Sequence, residues 1–179
     1  ILSMARDNSL IWIGTVNGLY ACDQERKTLL YYQSKSDDNQ TLPDNQVTSI
    51  LVDRNRNIWA GTENGLAMMK AGSNSFSRIS ELASSGFQVS DNTIKALLED
   101  DRGYIWVGTF GDGLYILNRE SGKFVHLMYD YNNPYSLSNN EVLSLYMDFS
   151  GIIWVGTNGL DKYNPKKEKF MLFDYVPYT

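Results

Sequence analysis

Apolar and polar residues alternate along this chain in short bursts, each closed by a cluster of Gly, Asn, Asp or Ser. Alternation at a period of two marks a half-buried strand, and bursts this short and this rich in β-branched and aromatic residues do not build helices. The bursts come in sets of four. The first runs from Ile1 to Asp7, and again from Val47 to Asp53, Ile94 to Asp100 and Val142 to Asp148. A small residue holds its third place in every copy: Ser3, Ser49, Ala96 and Ser144. This predicts a crowded position, such as the centre on which inner strands converge. The second burst carries a Trp: Ile11-Trp12-Ile13-Gly14-Thr15, Ile58-Trp59-Ala60-Gly61-Thr62, Ile105-Trp106-Val107-Gly108-Thr109 and Ile153-Trp154-Val155-Gly156-Thr157. The third opens on Gly18, Gly65, Gly113 and Gly159, each preceded by Asn or Asp, and the fourth is aromatic-rich at 29–32, 76–79, 124–127 and 170–173. Asn-Gly and Asp-Gly predict tight hairpins of type I′, whose central residues both need positive φ. Only residues 80–86 carry a brief helical pattern, as an insertion in the second unit.

The four Trp residues stand 47, 47 and 48 residues apart. Four antiparallel strands in a repeat of that length describe a β-propeller blade. The fold class is therefore all-β, a β-propeller fragment of about four four-stranded antiparallel blades. The blades fall at residues 1–36, 37–84, 85–132 and 133–179. Trp12, Trp59, Trp106 and Trp154 are expected to pack between neighbouring sheets, and Gly14, Gly61, Gly108 and Gly156 to belong to the same structural repeat. The first unit departs slightly, with a turn from Asp7 to Trp12 that is one residue shorter than its counterparts.

Composition narrows the chemistry. The 179 residues carry 16 basic and 21 acidic side chains, for a net charge of −5. No basic cluster of the kind nucleic acid requires is present, so nucleic acid is not an expected partner. No apolar run reaches the roughly 18 residues of a membrane span. The chain opens within a strand-like pattern on Ile1 and reads as a piece of something longer, so contact with a membrane would come only through parts outside it. The single cysteine, Cys22, excludes an intrachain disulfide and a Cys-rich metal site. Its place at the end of a third strand, equivalent to Met69, Leu117 and Tyr163, points to packing.

Candidate chemistry lies in the loops. In a propeller the connections from second to third strand, and from fourth strand to the next blade, share one face. Most Asn and Asp there fit turn geometry, where the side chain bonds the local backbone. This applies to Asn17, Asn64, Asp112 and Asn158, and to the recurring Asp44-Asn45, Asp91-Asn92 and Asn139-Asn140. The residues that break the repeat are better ligand-binding candidates: Glu63, Phe110 in its longer Phe-Gly-Asp-Gly loop, Tyr131 and Tyr135, with Asp112 of that loop as a further candidate. Carboxylates, amides and rings together suit a sugar, whose apolar face stacks and whose hydroxyls hydrogen-bond. No catalytic residue, metal site or cofactor is predicted. Asp53 to Asn57 imitates the start of a calcium loop but lacks the Gly and the distant Glu that complete one. His126, the only histidine, is expected to face solvent on an outer strand.

The segment from Leu137 to Val142, followed by Asp148, Ile153-Trp154-Val155-Gly156-Thr157-Asn158-Gly159-Leu160, Tyr163-Asn164 and Phe170, resembles the two-component regulator propeller repeat. The second unit matches from Leu42-Pro43-Asp44-Asn45-Gln46-Val47 and the third from Val89-Ser90-Asp91-Asn92-Thr93-Ile94. Such repeats form the periplasmic sensor region of hybrid two-component histidine kinases of Bacteroidetes. The resemblance implies a non-catalytic, periplasmic ligand-sensing module of an inner-membrane protein. It further implies recognition of an oligosaccharide and control of polysaccharide-utilisation genes. The kinase itself lies outside this chain. The alternatives are a propeller enzyme of lyase or lactonase type and a protein-interaction scaffold. An isolated four-blade array is also expected to self-associate through its uncovered end faces, or to close as a four-bladed ring.

Overall fold

The computed structural model describes residues 1–23, 25–79, 92–167 and 169–173. They form four separate four-stranded antiparallel sheets, one per repeat, each ordered as the chain runs. The first blade contains β1 (Ser3–Asp7), β2 (Leu10–Thr15), β3 (Gly18–Asp23) and β4 (Thr28–Tyr32). The second contains β5 (Val47–Val52), β6 (Ile58–Thr62), β7 (Gly65–Met69) and a two-residue β8 (Ser77–Arg78). The third contains β9 (Ile94–Glu99), β10 (Tyr104–Thr109), β11 (Leu114–Asn118) and β12 (Phe124–Leu127). The fourth contains β13 (Ser144–Met147), β14 (Ile153–Gly156), β15 (Leu160–Asn164) and β16 (Lys169–Phe173). This is the all-β propeller fragment that the repeats predict. The helical insertion expected at 80–86 lies outside the described residues.

Three apolar layers separate the four sheets. Trp12 packs among Leu19, Val47, Ile58 and Phe76 in the first layer. Trp59 lies among Leu66, Ile94, Ile105 and Tyr115 in the second, and Trp106 among Leu114, Val142, Ile153 and Phe170 in the third. Each Trp thus faces the blade that follows it. Trp154 is only half-buried, because no described sheet covers its face.

The glycine of each Gly-Thr step explains how closely the blades approach. Gly14, Gly61, Gly108 and Gly156 pair with Ser3, Ser49, Ala96 and Ser144, the small third residues of the neighbouring first strands. A β-carbon on Gly61 would overlap Ser49 Oγ and come within 2.6 Å of Ile94 Cγ2, in the next blade. On Gly14 it would come within 2.7 Å of the Val47 carbonyl, and on Gly108 within 2.5 Å of Val142 Cγ1. The crowding expected at the third residue is real. Its cause is this seat, on which a β-branched residue opening the next blade rests. Val47, Ile94 and Val142 are fully buried there, whereas Ile1, the equivalent residue of the first blade, is 81% exposed. At Gly156, by contrast, the three atoms nearest to an added β-carbon all belong to Ser144 of its own blade. The array is therefore open, with apolar Met4 and Tyr146 exposed at its two ends, and not a closed four-bladed ring.

In the second, third and fourth blades one carboxylate organises the turn between first and second strands. Asp53 Oδ1 accepts the backbone N–H groups of Asn55 and Asn57, while Oδ2 accepts Trp59 Nε1 at 2.9 Å and Asn57 Nδ2 at 2.8 Å. Asp100 accepts Trp106 Nε1 at 3.1 Å, and Asp148 accepts Trp154 Nε1 at 2.9 Å. Asp53, which only imitates a calcium ligand, is thus the anchor of a hairpin and of the indole behind it. In the first blade the missing residue removes this bond. Trp12 Nε1 is buried with no hydrogen-bond partner among the described residues, and Asp7 pairs with Arg56 of the second blade at 3.0 Å.

Hydrogen bonds from Ser150 and then Trp154 hold the Asp148 carboxyl below its usual 3.8, at about 2. A depressed carboxyl stabilises the fold fully above the unfolded value and loses that contribution as pH falls through the folded one. Stability should therefore decline between about pH 4 and pH 2, and Asp148→Asn should shrink this decline. Urea midpoints measured across that range provide the check. An identical pH dependence in the variant and the parent would reject the role.

Candidate ligand-binding face

The loops from second to third strand and those leading into the next blade interlock through the backbone. Gly18, Gly65 and Gly113 donate their N–H groups to the carbonyls of Asn45, Asn92 and Asn140 of the following blade, at 2.6, 3.0 and 2.9 Å. The hairpins are not the expected type I′. Gly18 and Gly65 have φ of 116° and 110°, but Asn17 and Asn64 do not have positive φ. Thr15 and Gly18 already pair as strand residues, so Val16 and Asn17 form the turn. The preceding threonine clamps it. Thr62 Oγ1 donates to the Gly65 carbonyl at 2.8 Å and accepts the Asn64 N–H at 3.2 Å, and Thr15 and Thr109 repeat the arrangement. The fold therefore needs the hydroxyl of the Gly-Thr step as well as its glycine.

Of the paired Asx residues, Asp44 and Asn139 each accept a backbone N–H two residues ahead. Asn45 and Asn140 accept the N–H groups of Ser34 and Tyr129 at the exit of the preceding fourth strand. Asp91 lies outside the described residues. Asn92 turns its amide to the Asp112 carboxylate at 2.8 Å, a contact that its turn role does not foresee.

The five candidate residues divide among three places. Glu63 and Phe110 follow equivalent threonines in neighbouring blades and meet through Lys95 of β9. Glu63 Oε1 accepts Gln46 Nε2 at 2.9 Å and pairs with Lys95 Nζ at 3.4 Å, while Oε2 accepts Thr93 Oγ1 at 3.0 Å. Lys95 Nζ stands 5.5 Å from the centre of the half-exposed Phe110 ring. Phe110 in turn bridges to Glu141 of the fourth blade. The result is a rim of carboxylate, ammonium, amide and aromatic face. Lys95 has no repeat signal, because Thr48 and Leu143 occupy its place in the neighbouring units.

Asp112 lies further out, in a separate cluster. Its Oδ2 accepts the Tyr115 hydroxyl as well as Asn92, and its carbonyl lies 2.7 Å from His126 Nε2. The His126 ring stacks on Tyr115 with centres 4.0 Å apart and planes 4° from parallel. Burial, followed by the hydrogen bond to Asp112 and its charge, raises the Tyr115 hydroxyl above its ordinary value and keeps it a donor. His126 is thus on an outer strand, as expected, but docked rather than simply solvent-facing.

Tyr131 and Tyr135 occupy the third place, the loop between β12 and β13. Tyr131 is 86% exposed. The Tyr135 carbonyl accepts the Phe170 N–H at 3.2 Å, as the Gln40 carbonyl accepts that of Phe76 in the second blade. Its backbone therefore follows the repeat, and only its ring departs from it. Cys22 lies half-buried on the open face of the first blade, paired across strands with Ile11 and Leu29. Among the described residues no group of three His, Cys, Asp or Glu side chains is arranged to hold a metal.

Comparison with known families meets this geometry directly. The model of the two component regulator propeller matches residues 41–64, 88–111 and 136–159. Three of the four units thus match the two-component regulator propeller repeat. Each match runs from the loop entering a blade, through its first and Trp-bearing strands, to the hairpin after Gly-Thr. The propeller repeats are similar in structure to the extracellular domain assigned to a hybrid two-component system of Bacteroides thetaiotaomicron. That likeness has 25% identity and a TM-score of 0.76, covering 94% of this chain and 22% of the other. The extracellular domain of a second such system of the same organism gives 22% identity and a TM-score of 0.50, over 97% of this chain and 27% of that one. The chain thus spans about a quarter of the length of these two extracellular domains. A catalytically inactive virginiamycin B lyase from Staphylococcus aureus shares the fold, at 12% identity and a TM-score of 0.68, over 97% of this chain and 55% of the lyase. No curated protein sequence matches.

Proposed function

We propose that these repeats form part of an extracytoplasmic ligand-sensing module of a hybrid two-component sensor kinase, held at the inner membrane by other parts of its parent. In this reading the ligand is an oligosaccharide, and its binding regulates polysaccharide-utilisation genes. The observation that carries the proposal is where the family matches fall. They cover the segments that build the interlocked loop face, and that face presents Glu63, Lys95 and Phe110 together. A ring beside paired carboxylate and ammonium groups suits a sugar, which stacks one face and hydrogen-bonds its edge. The inner strands supply only Ser3, Ser49, Ala96 and Ser144 at their third places, which favours binding over catalysis.

Calorimetric titration of the full extracytoplasmic region with a panel of oligosaccharides tests the proposal. At least one is expected to bind, with the affinity about tenfold weaker in a Phe110→Ala or Glu63→Ala variant. Binding of another metabolite class, with no saccharide bound, would remove the glycan assignment.

A further inference from the structure

The outer edge of the junction between the third and fourth blades holds a cleft of about 470 Å³, within the range of small-molecule sites, about 300–1,000 Å³. Its apolar floor includes Leu137, Tyr163 and Phe170, and its walls carry Tyr104, Asp130, Asn133 and Tyr135. The corresponding cleft between the first and second blades is smaller, about 280 Å³. Gln40 there takes the place of Tyr135, and Lys35 that of Asp130. The loops that frame the two clefts share one backbone plan. Lys35 N donates to Thr41 Oγ1, and Asp130 N to Ser136 Oγ, both at 3.0 Å. The third–fourth junction has therefore changed its side chains on a retained frame.

We infer that this cleft is a subsite for a neutral sugar ring, distinct from the rim around Glu63 and Phe110. The inference rests on the glycan reading above and adds a place to it. The charged groups decide against an anion. Arg102 reaches the cleft wall, but Asp100 Oδ2 engages its Nε at 3.1 Å and its Nη2 at 2.8 Å. The guanidinium carbon also lies 4.6 Å from the Tyr104 ring centre. His126 Nε2 is committed to the Asp112 carbonyl. A phosphate or carboxylate would find Arg102 already paired and Lys169 drawn onto the Tyr135 ring, and Asp130 would repel it. Asp130 equally opposes a purely apolar ligand.

What remains fits a polyhydroxylated ring. Asn133 uses its Oδ1 for the Tyr135 N–H, which leaves its amide hydrogens to donate. Asp130 uses Oδ1 for the Asn132 N–H, which leaves Oδ2 to accept. The Tyr135 ring is held by Lys169, whose Nζ lies 4.4 Å from its centre, yet it remains 52% exposed. It offers apolar surface and a hydroxyl at the cleft mouth.

The test is titration of the full extracytoplasmic region with cellotriose, maltotriose, mannotriose, xylotriose and galactotriose. Tyr135→Ala and Asp130→Asn are the informative variants, because each keeps the backbone role of its residue; an unchanged melting temperature confirms their fold. A trisaccharide that binds the parent protein is expected to bind Tyr135→Ala about tenfold more weakly, and Asp130→Asn several-fold more weakly. If a trisaccharide binds and both variants match the parent, the cleft assignment falls and the glycan reading stands. If none of the five binds the parent, the neutral-sugar assignment of the cleft falls with the glycan reading on which it rests.

Discussion

Asp53→Ala is expected to destabilise the protein by about 3–5 kcal/mol, the loss typical when one partner of a buried ion pair is removed. The Asp53 carboxylate is fully buried and joins three elements of structure. It closes its own turn, receives the Trp59 indole N–H, and pairs with Arg119 Nη1 of the third blade at 2.6 Å. Burial pulls its pKa upward, but the hydrogen bonds from Trp59, Asn57 and Arg119 outweigh it and hold the carboxyl below its usual value. Alanine would leave the Arg119 guanidinium, 19% exposed, with Glu99 alone at 3.2 Å, and a buried indole N–H without its acceptor. Asp7→Ala is the natural control. Trp12 already lacks this bond, and Arg56, the partner of Asp7, is 58% exposed, so the loss there should be about 0–1 kcal/mol. Urea denaturation of both variants provides the comparison. Equal losses at the two positions would refute the anchoring role.

Trp59→Ala should cost a similar amount, about 3–5 kcal/mol, by opening a cavity between the second and third blades. Trp154→Ala should cost less than half as much. Trp154 is half-buried, and its ring carries Lys162 Nζ 5.3 Å from the centre in place of a following sheet. Chemical denaturation again decides. A loss below about 1 kcal/mol for Trp59→Ala would be incompatible with a plug between sheets.

Much of the architecture was visible in the spacing of the four Trp residues, because one repeat builds one sheet and the sheets stack by one rule. The anchoring of each indole could also have been found. Asp53, Asp100 and Asp148 stand six residues before their Trp, and Asp7 stands five before Trp12. That single deletion removes a hydrogen bond from the first blade. The hairpin geometry was misjudged because Asn-Gly is a strong local signal, while the hydroxyl of the preceding threonine settles which residues form the turn. The candidate site was less legible. Glu63 and Phe110 stood out as breaks in the repeat, but their meeting through Lys95 depends on two blades packing side by side. Asp112 reaches His126 only because β11 and β12 pair Tyr115 with His126. Contacts made across blades leave no local mark, and these are the contacts that build the loop face.

The seat of a β-branched residue on a bare glycine bears also on how the array comes apart. Each interface repeats the same contact and each blade touches only its neighbours, so stability behaves as a chain of nearest-neighbour couplings. Among the described blades, the second and third are coupled on both sides. Loss of one seat therefore weakens the two blades that share it and leaves the other couplings in place. The Glu63–Lys95–Phe110 rim spans the second and third blades, so its geometry hangs on a single seat, that of Ile94 on Gly61.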